Sequence, residues 1–269
     1  MGLLPERNPT RAGTMARSMI PFACLIPARM ESQRYPGKAL AMIEGQAMVV
    51  RCAHNAMHAD LKTWVCTDSE QIEQVCRQKS IPIIKTPRCN SGTDRCAWAI
   101  KQIDAEHIII LQGDEPLVQP EELKLFQEKI ETSKSHSNLI FNGITGLPAE
   151  SFSDFNVVKA SCHSNQSINA LTRSIGKNHQ AMWKRQMGLY GGLGTNFINF
   201  AQLPPSPAEE QNSIEMLRWL DHGRALSAVE LRGAPYSVDT PDDMDRCHSF
   251  LQKQQSLSSI SGNRKAPIG

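Results

Sequence analysis

The run His107-Ile108-Ile109-Ile110-Leu111 limits the fold more than any other stretch of the chain. It has no polar alternation, so neither of its faces is meant for water. Strands buried on both faces belong to sheets with helices packed on each side. Its neighbours agree. Phe22-Ala23-Cys24-Leu25, Thr63-Trp64-Val65-Cys66 and Ile81-Pro82-Ile83-Ile84 are further short apolar runs. Met48, Val49, Cys52, Ala53, Ala56 and Met57 recur at helical spacing, which predicts an amphipathic helix over 46–59. Thr67-Asp68-Ser69 can cap a helix over 70–79, and a small-residue turn at 90–93 leads into another over 94–103. Strands alternating with helices at this interval predict crossover units and a Rossmann-like, mainly parallel α/β sheet.

The later chain is less regular. Pro120 and Glu121-Glu122 open a helix to about 132, and 138–143 reads as a fifth strand. From about 147 to 203 the pattern changes: 156–160 and 187–190 look like strands and 178–185 like loop, which predicts an antiparallel insertion. Ser206-Pro207-Ala208-Glu209 starts a helix expected to reach 222, 227–231 is a further strand, and a last helix follows Asp239 to about 251. Residues 20–251 thus form the folded domain, with 1–19 expected to be a disordered arm or a mis-set start and 252–269 a disordered tail rich in Ser, Gln and Lys.

Composition removes several classes of function. With 29 basic and 27 acidic residues there is no basic excess or stripe for nucleic acid. No apolar stretch approaches the roughly 20 residues of a membrane span, and residues 1–19 lack the apolar segment of a secretory signal. The eight cysteines have no zinc-knuckle spacing and read as free thiols of a reducing cytoplasm. His54 and His58 have ligand spacing on a helix but no glutamate between them, so they read as solvent-side residues.

What remains points to phosphate chemistry. The first apolar run delivers Pro27-Ala28-Arg29 and, through Arg34, Pro36-Gly37-Lys38, a basic loop to the carboxyl end of the sheet, where open α/β folds bind ligands. Arg29, Arg34 and Lys38 can converge on a polyphosphate, and Gly37 lets backbone approach it. Gln112-Gly113-Asp114 leaves the central strand at the same edge, and Asp239 arrives from far along the chain. Mg²⁺ takes few carboxylates and several phosphate or water oxygens, so two aspartates suffice. Cations, a metal and no covalent intermediate are what nucleotidyl transfer requires.

In wording and order these segments, with Ser91-Gly92-Thr93-Asp94-Arg95, Asn156-Val157-Val158-Lys159, Gly188-Leu189-Tyr190-Gly191, Ser206-Pro207-Ala208-Glu209 and Val238-Asp239-Thr240-Pro241, closely resemble the motifs of the 3-deoxy-manno-octulosonate (Kdo) cytidylyltransferases over about residues 20–250. The resemblance implies a cytoplasmic, homodimeric enzyme of lipopolysaccharide biosynthesis. Such an enzyme joins CTP to the anomeric hydroxyl of an acidic sugar, with Mg²⁺, releasing pyrophosphate and a CMP-sugar. It implies that Ala28, Arg29 and Lys38 bind the triphosphate, that Ser91, Thr93 and Arg95 recognise the cytidine side, and that Gln112 positions the sugar. It further implies that Asp114 and Asp239 hold the metal, with Arg29, Lys38 and Asp114 as the catalytic set. Arg173, Gln186, Tyr190, Glu209 and Asn212 would face the acceptor, and Arg34 is a further phosphate candidate.

The likeness thins on the acceptor side. Gln186 replaces a histidine two residues before the first glycine of the family's Gly-Ile-Tyr-Gly segment, and Gly192 replaces an aromatic. Asn212 replaces a glutamate, and Glu215-Met216 stands for a Glu-Gln pair. The Ile-Pro that follows the family's Ser-Arg-Ala motif is missing after Thr172-Arg173-Ser174. These exchanges leave open an unchanged Kdo, an amino-sugar variant or a nonulosonate. Also open are a nucleotidyltransferase using UTP or a non-sugar acid, and a nucleotide binder without activity. Retention of both metal carboxylates argues against the last.

Overall fold

The computed structural model describes residues 19–32, 34–133, 138–175, 183–232 and 236–262. Met19 alone of the expected arm, and none of residues 263–269, falls among them. A nine-stranded sheet carries the molecule, seven of its strands in the order β11-β7-β10-β6-β1-β4-β5. β1 (Ile20–Pro27), β4 (Lys62–Thr67), β5 (Ile83–Lys85) and β6 (Ala105–Leu111) run parallel, as do β7 (Leu139–Thr145) and β11 (Ala225–Glu230). The apolar run on β6 behaves as its composition demands: Ile108 to Leu111 are all wholly buried.

One strand departs from the parallel pattern. β10 (Trp183–Leu193) runs antiparallel between β6 and β7, and beyond it hang β8 (Lys159–Cys162) and β9 (Ile168–Thr172), also antiparallel. This is the expected insertion, but it enters the centre of the sheet instead of leaving it. Close packing makes that possible: a Cβ on Gly191 would meet Phe126 Cε1 at 2.7 Å, so α4 (Pro120–Glu131) seats directly on the strand's backbone.

Helices cover both faces. α1 (Met48–His58), α2 (Glu70–Gln78) and α4 bury Val49, Ala53, Ile72, Leu123 and Phe126 on one side. α3 (Gly92–Ile100), α5 (Gly194–Gln202) and α7 (Met216–Asp221) bury Cys96, Phe197, Phe200 and Trp219 on the other. Each fully buried side chain of this size is worth about 1.5–3 kcal/mol. All eight cysteines are free thiols.

Several boundaries differ from expectation for local reasons. Gln46–Ala47 forms strand β3, which closes a hairpin with β2 (Met42–Ile43) across Glu44 and Gly45, both at positive φ, so α1 starts only at Met48. The strand expected over 156–160 begins at Lys159. Of the loop expected over 178–185, residues 178–182 lie outside the described residues, and Trp183, Lys184 and Arg185 belong to β10. The helix expected over 206–222 is two: α6 (Pro207–Asn212) stops where Ser213 turns left-handed at φ 51°, and α7 restarts at Met216. The last helix, α8 (Pro241–Gly262), continues through the start of the expected tail. The chain offers no Gly or Pro before Gly262 to stop it, and Gln255 Nε2 reaches back to Glu44 Oε1.

Candidate active site

The carboxyl ends of β1 and β6 gather the residues that the sequence scattered. After β1 the chain turns at Gly37, whose φ of 73° suits glycine, into a short 3-10 helix that begins at Lys38. Lys38 Nζ then lies 2.8 Å from Asp114 Oδ2 and 2.9 Å from Asp239 Oδ1, and donates to the Val238 carbonyl at 3.3 Å. Asp114 comes off β6, and Asp239 is brought beside it by a backbone bond from Val238 N to the Asp114 carbonyl, 2.9 Å long. Arg34 adds a second cation, donating to Asp239 Oδ1 at 3.0 Å and to Asn156 Oδ1 at 2.6 Å.

The charges set one another's protonation. Burial opposes the charge on Lys38, but the two carboxylates overcome it and raise its pKa above the ordinary lysine value. Burial likewise pushes Asp239 up, and Lys38 with Arg34 more than reverses that, holding its pKa low. Two carboxylate oxygens thus converge on one ammonium at the edge of the sheet. Arg29, two residues past the end of β1, is exposed.

α3 points its amino end at the same edge. Ser91 is its N-cap, accepting from Asp94 N at 3.0 Å and donating to Asp94 Oδ2 at 2.8 Å. Glu215, half-buried at the break between α6 and α7, accepts from Gly92 N, Thr93 N and Thr93 Oγ1. Burial nevertheless leaves its pKa raised. Gln112 lies against this turn: a Cβ on Gly92 would meet Gln112 Oε1 at 2.6 Å, and one on Gly188 would meet Gln112 Cβ at 2.8 Å. Both glycines exist to let that side chain through.

The structure separates residues that the sequence grouped. Arg95, expected at the nucleotide, is buried; it pairs with Asp68 Oδ2 at 2.9 Å and bonds Thr86 Oγ1, tying α3 to the sheet. Glu209 closes a capping box on α6 and pairs with Arg218 at 2.7 Å. Arg218 also pairs with Asp94 at 2.8 Å, so α3, α6 and α7 are locked together. Asn212 donates to the Ala208 carbonyl at 2.9 Å. Arg173 spends its guanidinium on the carbonyls of Phe155, Asn156, Asn212 and Ser213. These side chains spend their polar groups within the fold, around the break between α6 and α7. Gln186 and Tyr190 lie nearby on β10, and Gly192 has a φ of 153° with Leu139 O only 3.0 Å from where its Cβ would stand, so this backbone excludes an aromatic there. Asn156, Glu215 and the buried pair Glu115–Arg185 (2.7 Å) were not singled out as site residues. Asn156 stood within a quoted motif and Glu215 within a mismatched one. Glu115 follows Asp114 directly, and that adjacency was its signal.

A basic loop and two converging carboxylates at the carboxyl edge of such a sheet define a nucleotidyltransferase. A family model described as cytidylyltransferase matches residues 23–224. The 3-deoxy-manno-octulosonate cytidylyltransferase of Wolinella succinogenes is 34% identical, the match covering 82% of this chain and 96% of that protein. The enzyme of the same name from Porphyromonas gingivalis is 29% identical over 86% and 96%. The solved structure of CMP:2-keto-3-deoxy-manno-octonic acid synthetase complexed with CTP superposes with a TM-score of 0.77 at 27% identity, covering 87% of this chain and 99% of that one. The chain belongs to the cytidylyltransferase family and, within it, to the 3-deoxy-manno-octulosonate cytidylyltransferases.

Proposed function

We propose that this chain couples CTP to the anomeric hydroxyl of a 2-keto-3-deoxy sugar acid, Kdo or a modified Kdo, giving a CMP-sugar and pyrophosphate. It would act in the cytoplasm as a homodimer in lipopolysaccharide biosynthesis, as the motif resemblance implies. Among the described residues no helix is long and apolar enough to cross a membrane.

One observation carries the reading: Asp114 Oδ2 and Asp239 Oδ1 lie within 2.9 Å of a single ammonium at the foot of the basic loop. Two such oxygens suit Mg²⁺, which keeps most of its coordination for phosphate and water. No group of three or more metal-binding side chains exists among the described residues, so a site completed by the nucleotide fits better than a protein cage. Asp114 and Asp239 would hold the ion. When bound, it would neutralise phosphate charge and lower the pKa of the sugar hydroxyl.

This chain's own residues supply the rest. Arg34, beside Asp239, and the exposed Arg29 would orient the triphosphate. Lys38, kept charged by the two aspartates, meets the negative charge that builds on the α-phosphate and leaving group as the hydroxyl oxygen attacks phosphorus and the bond to pyrophosphate breaks. Gln112, threaded between Gly92 and Gly188, would lie between nucleotide and sugar. The test is pyrophosphate release with CTP, Mg²⁺ and a panel of 2-keto-3-deoxy sugar acids, repeated with EDTA. Acid-dependent release abolished by EDTA supports the reading; release without any acid, or unaffected by EDTA, removes it.

A further inference from the structure

β10 is irregular where it passes the site. Its register against β7 shifts between Gln186, opposite Ile144, and Tyr190, opposite Asn142, so the strand bulges over 187–189. Asn142 holds the bulge from within the sheet. Its Nδ2 donates to the carbonyls of Gly143, Met187 and Leu189 at 3.1, 2.9 and 3.0 Å. An amide turned the other way would press its oxygen against three carbonyl oxygens, so the orientation of Asn142 is fixed.

That orientation decides the next one. Asn142 Oδ1 is left as an acceptor, and Gln186 Nε2 donates to it at 2.7 Å. The amide of Gln186 therefore cannot flip either, and its Oε1 is the end turned away from Asn142. Although Gln186 is only 8% exposed, that oxygen takes no hydrogen bond among the described residues and is not sealed from solvent. Gln186 and Tyr190 share one face of β10, because their partners Ile144 and Asn142 are two residues apart on β7. Within the bulge, the Gly188 carbonyl accepts from Gln112 N at 2.8 Å, and a Cβ on Gly188 would meet Gln112 Cβ at 2.8 Å and Glu115 Cγ at 3.2 Å, so this part of β10 lies against the segment that carries Asp114.

We propose that Gln186 is a specificity-determining residue of the acceptor side. Its locked amide oxygen selects a sugar acid that brings a hydrogen-bond donor, hydroxyl or amine, to that point. The inference rests on the reading of the site as joining CTP to a 2-keto-3-deoxy sugar acid. A nearly buried oxygen left unpaired by a bound ligand costs enough to discriminate: roughly 5- to 150-fold in kcat/KM.

The experiment compares Kdo with analogues in which one hydroxyl other than the anomeric one is replaced by amine, fluorine or hydrogen. kcat/KM for the acid and KM for CTP are measured for the wild type and for Gln186→Met, which keeps length but removes the oxygen. At one carbon, fluorine and hydrogen are expected to lower wild-type kcat/KM by roughly 5- to 150-fold while the amine is accepted. Gln186→Met levels that ranking and leaves KM for CTP within about twofold. Fluorine and hydrogen tolerated at every carbon would overturn the inference, as would Gln186→Met keeping the wild-type ranking, with the cytidylyltransferase reading intact. A wild type that turns over no sugar acid at all brings down the reaction itself. Should Gln186→Met fail to fold, the wild-type ranking across the analogues decides alone.

Discussion

The two halves of the site are built from different materials. On the donor side, charged groups hold each other: Lys38 and Arg34 against Asp114 and Asp239. On the side proposed for the acceptor, the bonding runs through amides and backbone carbonyls, with Asn142 orienting Gln186 and the Arg173 guanidinium clasping four backbone carbonyls. A charge cluster needs only a few residues at the ends of strands, and it serves any nucleoside triphosphate chemistry that uses a metal. An amide network depends on backbone detail, and so it can change the acceptor without disturbing the donor.

The sharpest way to break this contrast is at Asp114. Asp114→Asn is expected to lower kcat by at least about 10²–10³-fold with both substrates saturating, because the convergent carboxylate pair is lost. The thermal midpoint should move by only a few degrees, since Lys38 keeps Asp239. Steady-state kinetics and a melting curve on the same preparation check both statements. Arg173→Met attacks the other half. Four carbonyls lose a charged donor, so KM for the sugar acid should rise about tenfold, KM for CTP should stay near the wild-type value, and Arg173→Lys should recover part of the loss.

How far the two halves could be read beforehand follows the same division. The parallel strands and α1 to α3 were legible because each is a short apolar run or a capped periodic stretch whose signal is local. The meeting of Lys38, Asp114 and Asp239 was legible from the order and wording of their motifs, since each alone, a basic loop or an aspartate near a helix start, has ordinary structural uses. β9 and α5 were not anticipated: Gly194-Thr195-Asn196-Phe197 has poor helix propensity, and α5 forms because Phe197 and Phe200 bury against α3 and the sheet. Arg95 stood in the same motif as Ser91 and Thr93, but the sequence could not show that its buried guanidinium pairs with Asp68 and Thr86. The roles of Glu209, Asn212 and Arg173 could not be read because they depend on the left-handed turn at Ser213, which divides α6 from α7.

Smaller effects sharpen the boundary between the halves, where Glu215 caps α3. Burial raises its pKa, so the native state holds a proton that the unfolded chain has already released. Stability from this group is therefore present at low pH and falls as pH rises above about 4.5, opposite in sign to ordinary acid denaturation. Urea titrations across pH 4 to 8 should find that Glu215→Gln flattens this slope. The least effect is expected from Ser91→Ala, which removes one cap: about 1 kcal/mol, or a fall of about 2–4 °C in Tm.

The central claim is that a fixed cytidylyl donor half is coupled to a separately tuned acceptor half, and pyrophosphate release across a grid of nucleotides and acids tests it most directly. With Mg²⁺ present, CTP should support turnover with every accepted acid, ATP, GTP and UTP should support little, and the nucleotide order should not change from acid to acid. UTP matching CTP, or a nucleotide preference that shifts with the acid, would contradict it.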